Sequence, residues 1–284
     1  MMKMNPICER AARAAARTPR FSAALFGGNA LLAALALFML GLVFQRAGET
    51  GELRYAEMLR IFHTLVWAEL ILAALLVPAR AAGAVSGERE QRTLDLLLGT
   101  ALSPRRIILG NLLQNLVGAG IFALSGLPVL LTALLFGGVS LADVALLFLG
   151  ILFSAALSGS LGLFFSATNR TTAVAIVETY AAEALLFLAP FGILLLTKSF
   201  GSAGTAVSWL ILFSPVSLME NLLFHATGLH DFAALAENPL LQQGLIPAAL
   251  LEFLLMALLF LAAVRAISPR RRKRKFTTEQ NLIK

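Results

Sequence analysis

The chain has 284 residues, 58% of them apolar and 14% charged, with a mean hydropathy of +0.83. Soluble domains hold about 45–50% apolar and about 25% charged residues, so a water-soluble globular fold is excluded and the bilayer is the expected solvent. The net charge of +7 does not point to nucleic acid, because Lys and Arg sit at the edges of apolar runs, as in the flanks of membrane helices.

In chain order, residues 5–20 come first. At 100° per residue, Arg10, Arg13, Arg17 and Arg20 share an arc of about 80°, with Met4, Ile7, Cys8, Ala11 and Ala15 over much of the rest. The pattern predicts an amphipathic helix on the inner membrane surface; a plain positive-inside anchor is the simpler alternative. Cys8 is the single cysteine, which excludes an intrachain disulfide and a cysteine-based zinc site.

Six apolar stretches follow, at 21–44, 59–82, 107–136, 144–168, 172–197 and 245–266. About 20 helical residues cross a 30 Å hydrocarbon core. None alternates with period two, so the expected fold is all-α and polytopic rather than a β-barrel. The first stretch is too long for a signal-peptide core and has no clean cleavage site, so it is read as a span. With both termini cytoplasmic, 19 of the 23 Lys and Arg fall inside, among them the basic tail 267–284. That asymmetry orients the protein as a multi-pass inner-membrane protein.

Ala206–Ala226 is apolar, but Pro215, Glu220 and Asn221 interrupt it, and a seventh crossing would carry the Pro269–Lys275 cluster to the wrong side. It is expected to form two short helices, Val207–Phe213 and Val216–Phe224, as an outer re-entrant hairpin. Ser214 would be the N-cap and Pro215 the first helical residue. Beyond it, His225, His230 and Asp231 match no standard metal spacing.

The most informative segment follows the second span. Ser86 is placed to cap a helix whose first turn holds Glu88 and Glu90. Leu94, Leu97, Leu98 and Ala101 then recur at helical spacing, and Ser103-Pro104 restarts the chain. The expectation is a short cytosolic amphipathic helix within 86–102, with a leucine face for a partner or for the inner leaflet.

The run Gly87-Glu88-Arg89-Glu90-Gln91-Arg92-Thr93-Leu94-Asp95-Leu96-Leu97-Leu98, followed by Thr100-Ala101-Leu102-Ser103-Pro104, resembles the loop of ABC-2 type transporter permeases. Asn5-Pro6, Gly162-Leu163-Phe164-Phe165-Ser166 and Asn169-Arg170-Thr171-Thr172 agree with that family, as does the six-span plan. Ala101 and Asn111 depart from it, standing where proline and lysine are common. The resemblance implies a permease subunit, an exporter, whose coupling helix docks on a separate ATPase. By position it makes Glu88, Arg89, Glu90, Thr93, Leu94, Leu97 and Leu98 the coupling residues. It also implies a second permease half, with ATP and magnesium bound by the ATPase. This chain has no Gly-Lys pair and hence no P-loop, so it is not expected to be an enzyme or to carry a cofactor.

Carboxylates inside spans are costly in hydrocarbon and mark protein interior or a polar cavity. Glu178 and Glu183 are candidates for a substrate pathway or, equally, for ties between helices. For Glu69 and Glu252 the structural role leads. Ser154, Ser158 and Gly162 form a small-residue stripe suited to close helix packing. Two other classes stay open: a proton-coupled secondary transporter using the intramembrane glutamates, and a membrane scaffold for a cytosolic partner.

Overall fold

The computed structural model describes residues 19–51, 55–99, 103–135, 139–200, 212–229 and 245–268. The expected surface helix 5–20 (save its last two residues), most of the basic tail, 207–211, His230 and Asp231 lie outside the described residues. All regular structure among the described residues is helical: α1 Pro19–Thr50, α2 Tyr55–Glu90, α3 Leu94–Gly99, α4 Pro104–Leu135, α5 Leu141–Thr168, α6 Thr172–Phe200, α7 Pro215–Thr227 and α8 Leu245–Ile267. Among them α1, α2, α4, α5 and α8 are long and apolar enough to cross a membrane. The 29-residue α6 packs against α2 and α5.

The helix α5 is the central post. Its start is fixed by a capping box: Ser140 Oγ accepts from Asp143 N at 3.2 Å, and Ser140 N donates to Asp143 Oδ2 at 2.9 Å. Its glycines, alanines and serines remove side-chain bulk, so α2, α4, α6, α7 and α8 all pack against it. Of its apolar segment 67% is buried, against 22% for α1 and 11% for α8. The outer faces of α1 and α8 carry Phe26, Phe38, Phe253 and Leu258 in the open, which hydrocarbon solvates and water would not.

Two larger buried clusters lie towards the two ends of the bundle, with a small third one of Val77, Ala119 and Ala155 beside them. One gathers Phe62, Leu65, Leu147, Ile151, Leu212 and Met219 at the end where α7 sits. The other gathers Ala81, Val85, Leu94, Ile108, Leu163 and Val264 at the end holding the α2–α3 elbow.

Two expectations need correction. Helix α2 does not end at Ala82 but runs to Glu90, because its alanine-rich turn continues to pack along α5. Ser86 is therefore no N-cap. It is fully buried inside α2, with its Oγ donating to Ala82 O at 2.7 Å. The break comes instead at Gln91–Thr93, where Arg92 adopts φ 59°, and only six residues, Leu94–Gly99, form the following helix.

At the opposite end, Ser214 caps α7 as expected, its Oγ accepting from Val216 N at 3.4 Å, with Pro215 in the first turn. Gly228, at φ 70°, closes α7 by donating its N–H to Phe224 O at 2.7 Å. Most of α7 is buried against the bundle, with Leu222 over Gly150 of α5, and His63 Nε2 lies 2.6 Å from Thr227 Oγ1. Leu212 and Phe213, the last two residues of the expected first hairpin helix, form a turn.

Candidate functional site

The α2–α3 elbow meets the α5–α6 turn, and charge explains how. A helix leaves carbonyls unsatisfied at its C-terminus and amides at its N-terminus, with matching partial charges. Where α5 ends and α6 begins, both kinds lie side by side. Arg89 serves the first: its guanidinium donates to Ala167 O at 2.9 Å and to Asn169 O. Glu90 serves the second, accepting from Thr172 N at 2.8 Å and from Thr172 Oγ1 at 2.9 Å. Two adjacent residues of opposite charge thus pin the opposite poles of two helices.

The elbow is also tied to itself. Thr93 N and Oγ1 donate to Glu88 O at 2.9 and 3.1 Å, and Thr93 Oγ1 donates to Glu88 Oε2 as well. Beneath it, the backbone amides of Val85 and Ser86 both reach Ser166 Oγ of α5 at 2.9 Å. Leu94 is 8% exposed within the cluster formed with α4, α5 and α8, and Leu98 packs on the same cluster. The leucine face expected to meet a partner or the leaflet therefore covers this chain's own core at Leu94 and Leu98. The Leu97 side chain lies outside the described residues. Among the described side chains of residues 88–94, those of Glu90, Gln91 and Arg92 are exposed.

The carboxylates of the long helices separate into different roles. Glu178 is half-buried beside the α5–α6 turn, its Oε2 accepting from Asn169 Nδ2 at 2.5 Å. Glu183 is buried one helix face away, its Oε1 accepting from Ser158 Oγ at 2.6 Å, which ties α6 to α5. Ser158 and Gly162 belong to the small-residue stripe, and Gly162 backs directly onto α2 at Pro78 and Ala81, so the stripe packs helices. Glu69 and Glu252 are both fully buried, and neither carboxyl oxygen of either residue has a hydrogen-bond partner among the described residues. The sequence hinted at these two only as charges within apolar runs. His225 is exposed, and no group of metal-ligating side chains occurs among the described residues.

A buried carboxyl without a partner is a desolvation cost with no return. Replacing Glu252 with Leu is therefore expected to raise the stability of the detergent-solubilised protein by about 1–3 kcal/mol, read as a higher apparent Tm. A lower Tm would mean that Glu252 makes contacts essential to the fold.

No protein-family model matches the chain, and no curated protein matches it either.

Proposed function

We propose that the chain is the membrane-spanning permease subunit of an ATP-driven transporter of the ABC-2 type, acting as an exporter in the inner membrane. In this reading it has six crossings, with α6 as the fifth, an outer re-entrant hairpin that includes α7, and both termini cytoplasmic. A second permease half and a separate ATPase that binds ATP and magnesium complete the transporter, and nucleic acid plays no part. The observation that carries the reading is the clamp of Arg89 and Glu90 on the α5–α6 turn. A partner pushing on the elbow would move α2, α5 and α6 together, where a slack loop would absorb the push. The inward packing of Leu94 and Leu98 shifts the role of the leucines from docking to transmission. The ATPase then contacts the exposed Gln91 and Arg92, while Glu88, Arg89, Glu90 and Thr93 relay its movement.

A photo-crosslinking residue at Arg92 in cells tests this. It is expected to capture a polypeptide that is itself labelled by a photoreactive ATP analogue. Adducts with lipid alone would overturn the reading. A proton-coupled secondary transporter is the second reading, favoured by the buried, unpartnered carboxyls of Glu69 and Glu252; it predicts transport that persists after ATP is exhausted.

A further inference from the structure

At the end of the bundle that holds the α2–α3 elbow, charge does not balance. Five arginines there have exposed side chains: Arg92 in the elbow, Arg105 and Arg106 in the first turn of α4, Arg170 in the α5–α6 turn and Arg265 in the last turn of α8. They come from four separate stretches of the chain. Packing brings those stretches to one end, because each arginine lies within three residues of Leu94, Ile108, Ala167 or Val264, which share one buried cluster.

The acids of this end are already in use. Glu88 accepts from Thr93, Glu90 from Thr172 and Glu178 from Asn169, and no other acidic side chain is described there. Among the described residues, no hydrogen bond or ion pair engages the guanidinium of any of the five arginines. A guanidinium is a planar, weakly hydrated fork suited to paired contacts with carboxylates across an interface. The five sit in turns or terminal turns, at the end of the bundle rather than along its apolar flanks. A bilayer covers the flanks and leaves the end to a soluble partner.

We infer that this end of the bundle is an interaction surface for an acidic face of a soluble protein, whose carboxylates meet Arg92, Arg105, Arg106, Arg170 and Arg265. The inference deepens the reading above and rests on it in one respect, that the partner is the ATPase proposed there. It supplies the chemistry of the contact and extends it from the elbow to α4, the α5–α6 turn and α8. Opposite charges of this kind act mainly on encounter and orientation, and they weaken as salt shortens their reach.

The test turns an arginine into a probe for carboxylates. In native membranes holding the full chain, Arg105→Lys or Arg170→Lys is treated with a water-soluble carbodiimide. The reagent activates a carboxylate lying against the new amine. The amine then forms an amide with it, and one carboxyl oxygen leaves on the carbodiimide as a urea. Crosslinked peptides are expected that join position 105 or 170 to an aspartate or glutamate of the ATP-labelled polypeptide. They should be about tenfold fewer in about 0.5 M salt, since electrostatic steering is worth about 10- to 1000-fold. Arg60→Lys, exposed near the other end of α2, is expected to give none. Arg105→Gln combined with Arg106→Gln should slow photo-capture at position 92 about tenfold, with the apparent Tm unchanged. Absence of both crosslinks, or capture that neither salt nor the double variant slows, would overturn the acidic contact. If the ATP-labelled polypeptide is still captured at position 92, the permease reading stands without it. An ATP label missing from every adduct would remove the permease reading, and this inference with it.

Discussion

Replacing Arg89 with alanine is expected to lower the stability of the folded bundle by about 2–4 kcal/mol, because two carbonyls at the end of α5 lose a charged donor. The cost exceeds that of an ordinary surface cation, whose ion pairs contribute about 0–1 kcal/mol. Arg89 is half-buried and its acceptors are backbone groups that no rotamer change can re-aim. The planar guanidinium reaches both carbonyls at once; an ammonium is a point donor on a flexible stem and matches that fork poorly. Arg89→Lys should therefore recover only part of the loss. The measurement is the apparent Tm of the full chain in detergent, with a fall of about 5–10 °C expected at this chain length. An unchanged Tm would mean that the clamp contributes nothing to the fold.

The same substitution separates the clamp's structural role from the one proposed for it. If the elbow transmits movement, Arg89→Ala should still be captured at Arg92 by the ATP-labelled partner, since that surface is untouched. Substrate-stimulated ATP turnover should be lost. Capture and stimulated turnover both at wild-type levels would remove the mechanical argument for the permease reading. Glu90→Gln is the milder companion. It keeps an oxygen acceptor for Thr172 and loses the charge facing the N-terminus of α6, an interaction of about 0.3–1 kcal/mol at an exposed site.

What could be read from residues, and what could not, follows from which forces act locally. Apolar length decided the long helices, because a segment that cannot hydrogen-bond its backbone to lipid must form its own helix. Ser214-Pro215 announced the start of α7, since the N-cap hydroxyl and the fixed φ of proline act within three residues. Ser86 misled for the same reason. Ser followed by glutamates looks like a cap, but the contacts that carry α2 past that point are with α5, far away in the chain. There Ser166 reaches the amides of Val85 and Ser86 across sequence separations of 81 and 80 residues. The juxtaposition of 88–93 with 167–172 was equally hidden. Both segments stood out separately, but nothing in either spacing says that Arg89 and Glu90 meet the two poles of one turn. Glu69 and Glu252 looked like ordinary helix-tying carboxyls, and only the packing around them shows the missing partners.

The stripe of small residues on α5 leads to the sharpest expectation for the fold, a graded one. A Cβ at Gly162 would stand 2.6 Å from Ala81 Cβ, 3.0 Å from Pro78 O and 3.1 Å from Ala82 N. Two of these three are backbone atoms and the third is a Cβ, so no rotamer can make room and α2 must move off α5. A Cβ at Gly159 would meet Val77 Cγ1 at 3.5 Å and Leu112 Cδ1 at 3.6 Å, ordinary contact, and one at Gly41 of α1 would meet nothing within 4 Å. Alanine is intrinsically favoured over glycine in a helix by about 1 kcal/mol, so Gly41→Ala should be neutral or slightly stabilising, and Gly159→Ala should be close to neutral. Gly162→Ala should cost about 1–3 kcal/mol despite that bonus, the usual scale of overpacking. Gly162→Leu should prevent assembly of the bundle, because its added volume falls where α2 crosses the central post and where the elbow takes its position. Yield and apparent Tm of the four variants, expressed and solubilised in parallel, give the ranking. A Gly162→Leu protein as stable as Gly41→Ala would show that α2 and α5 do not pack in the register described, and the clamp at Arg89 would lose its geometric basis with it.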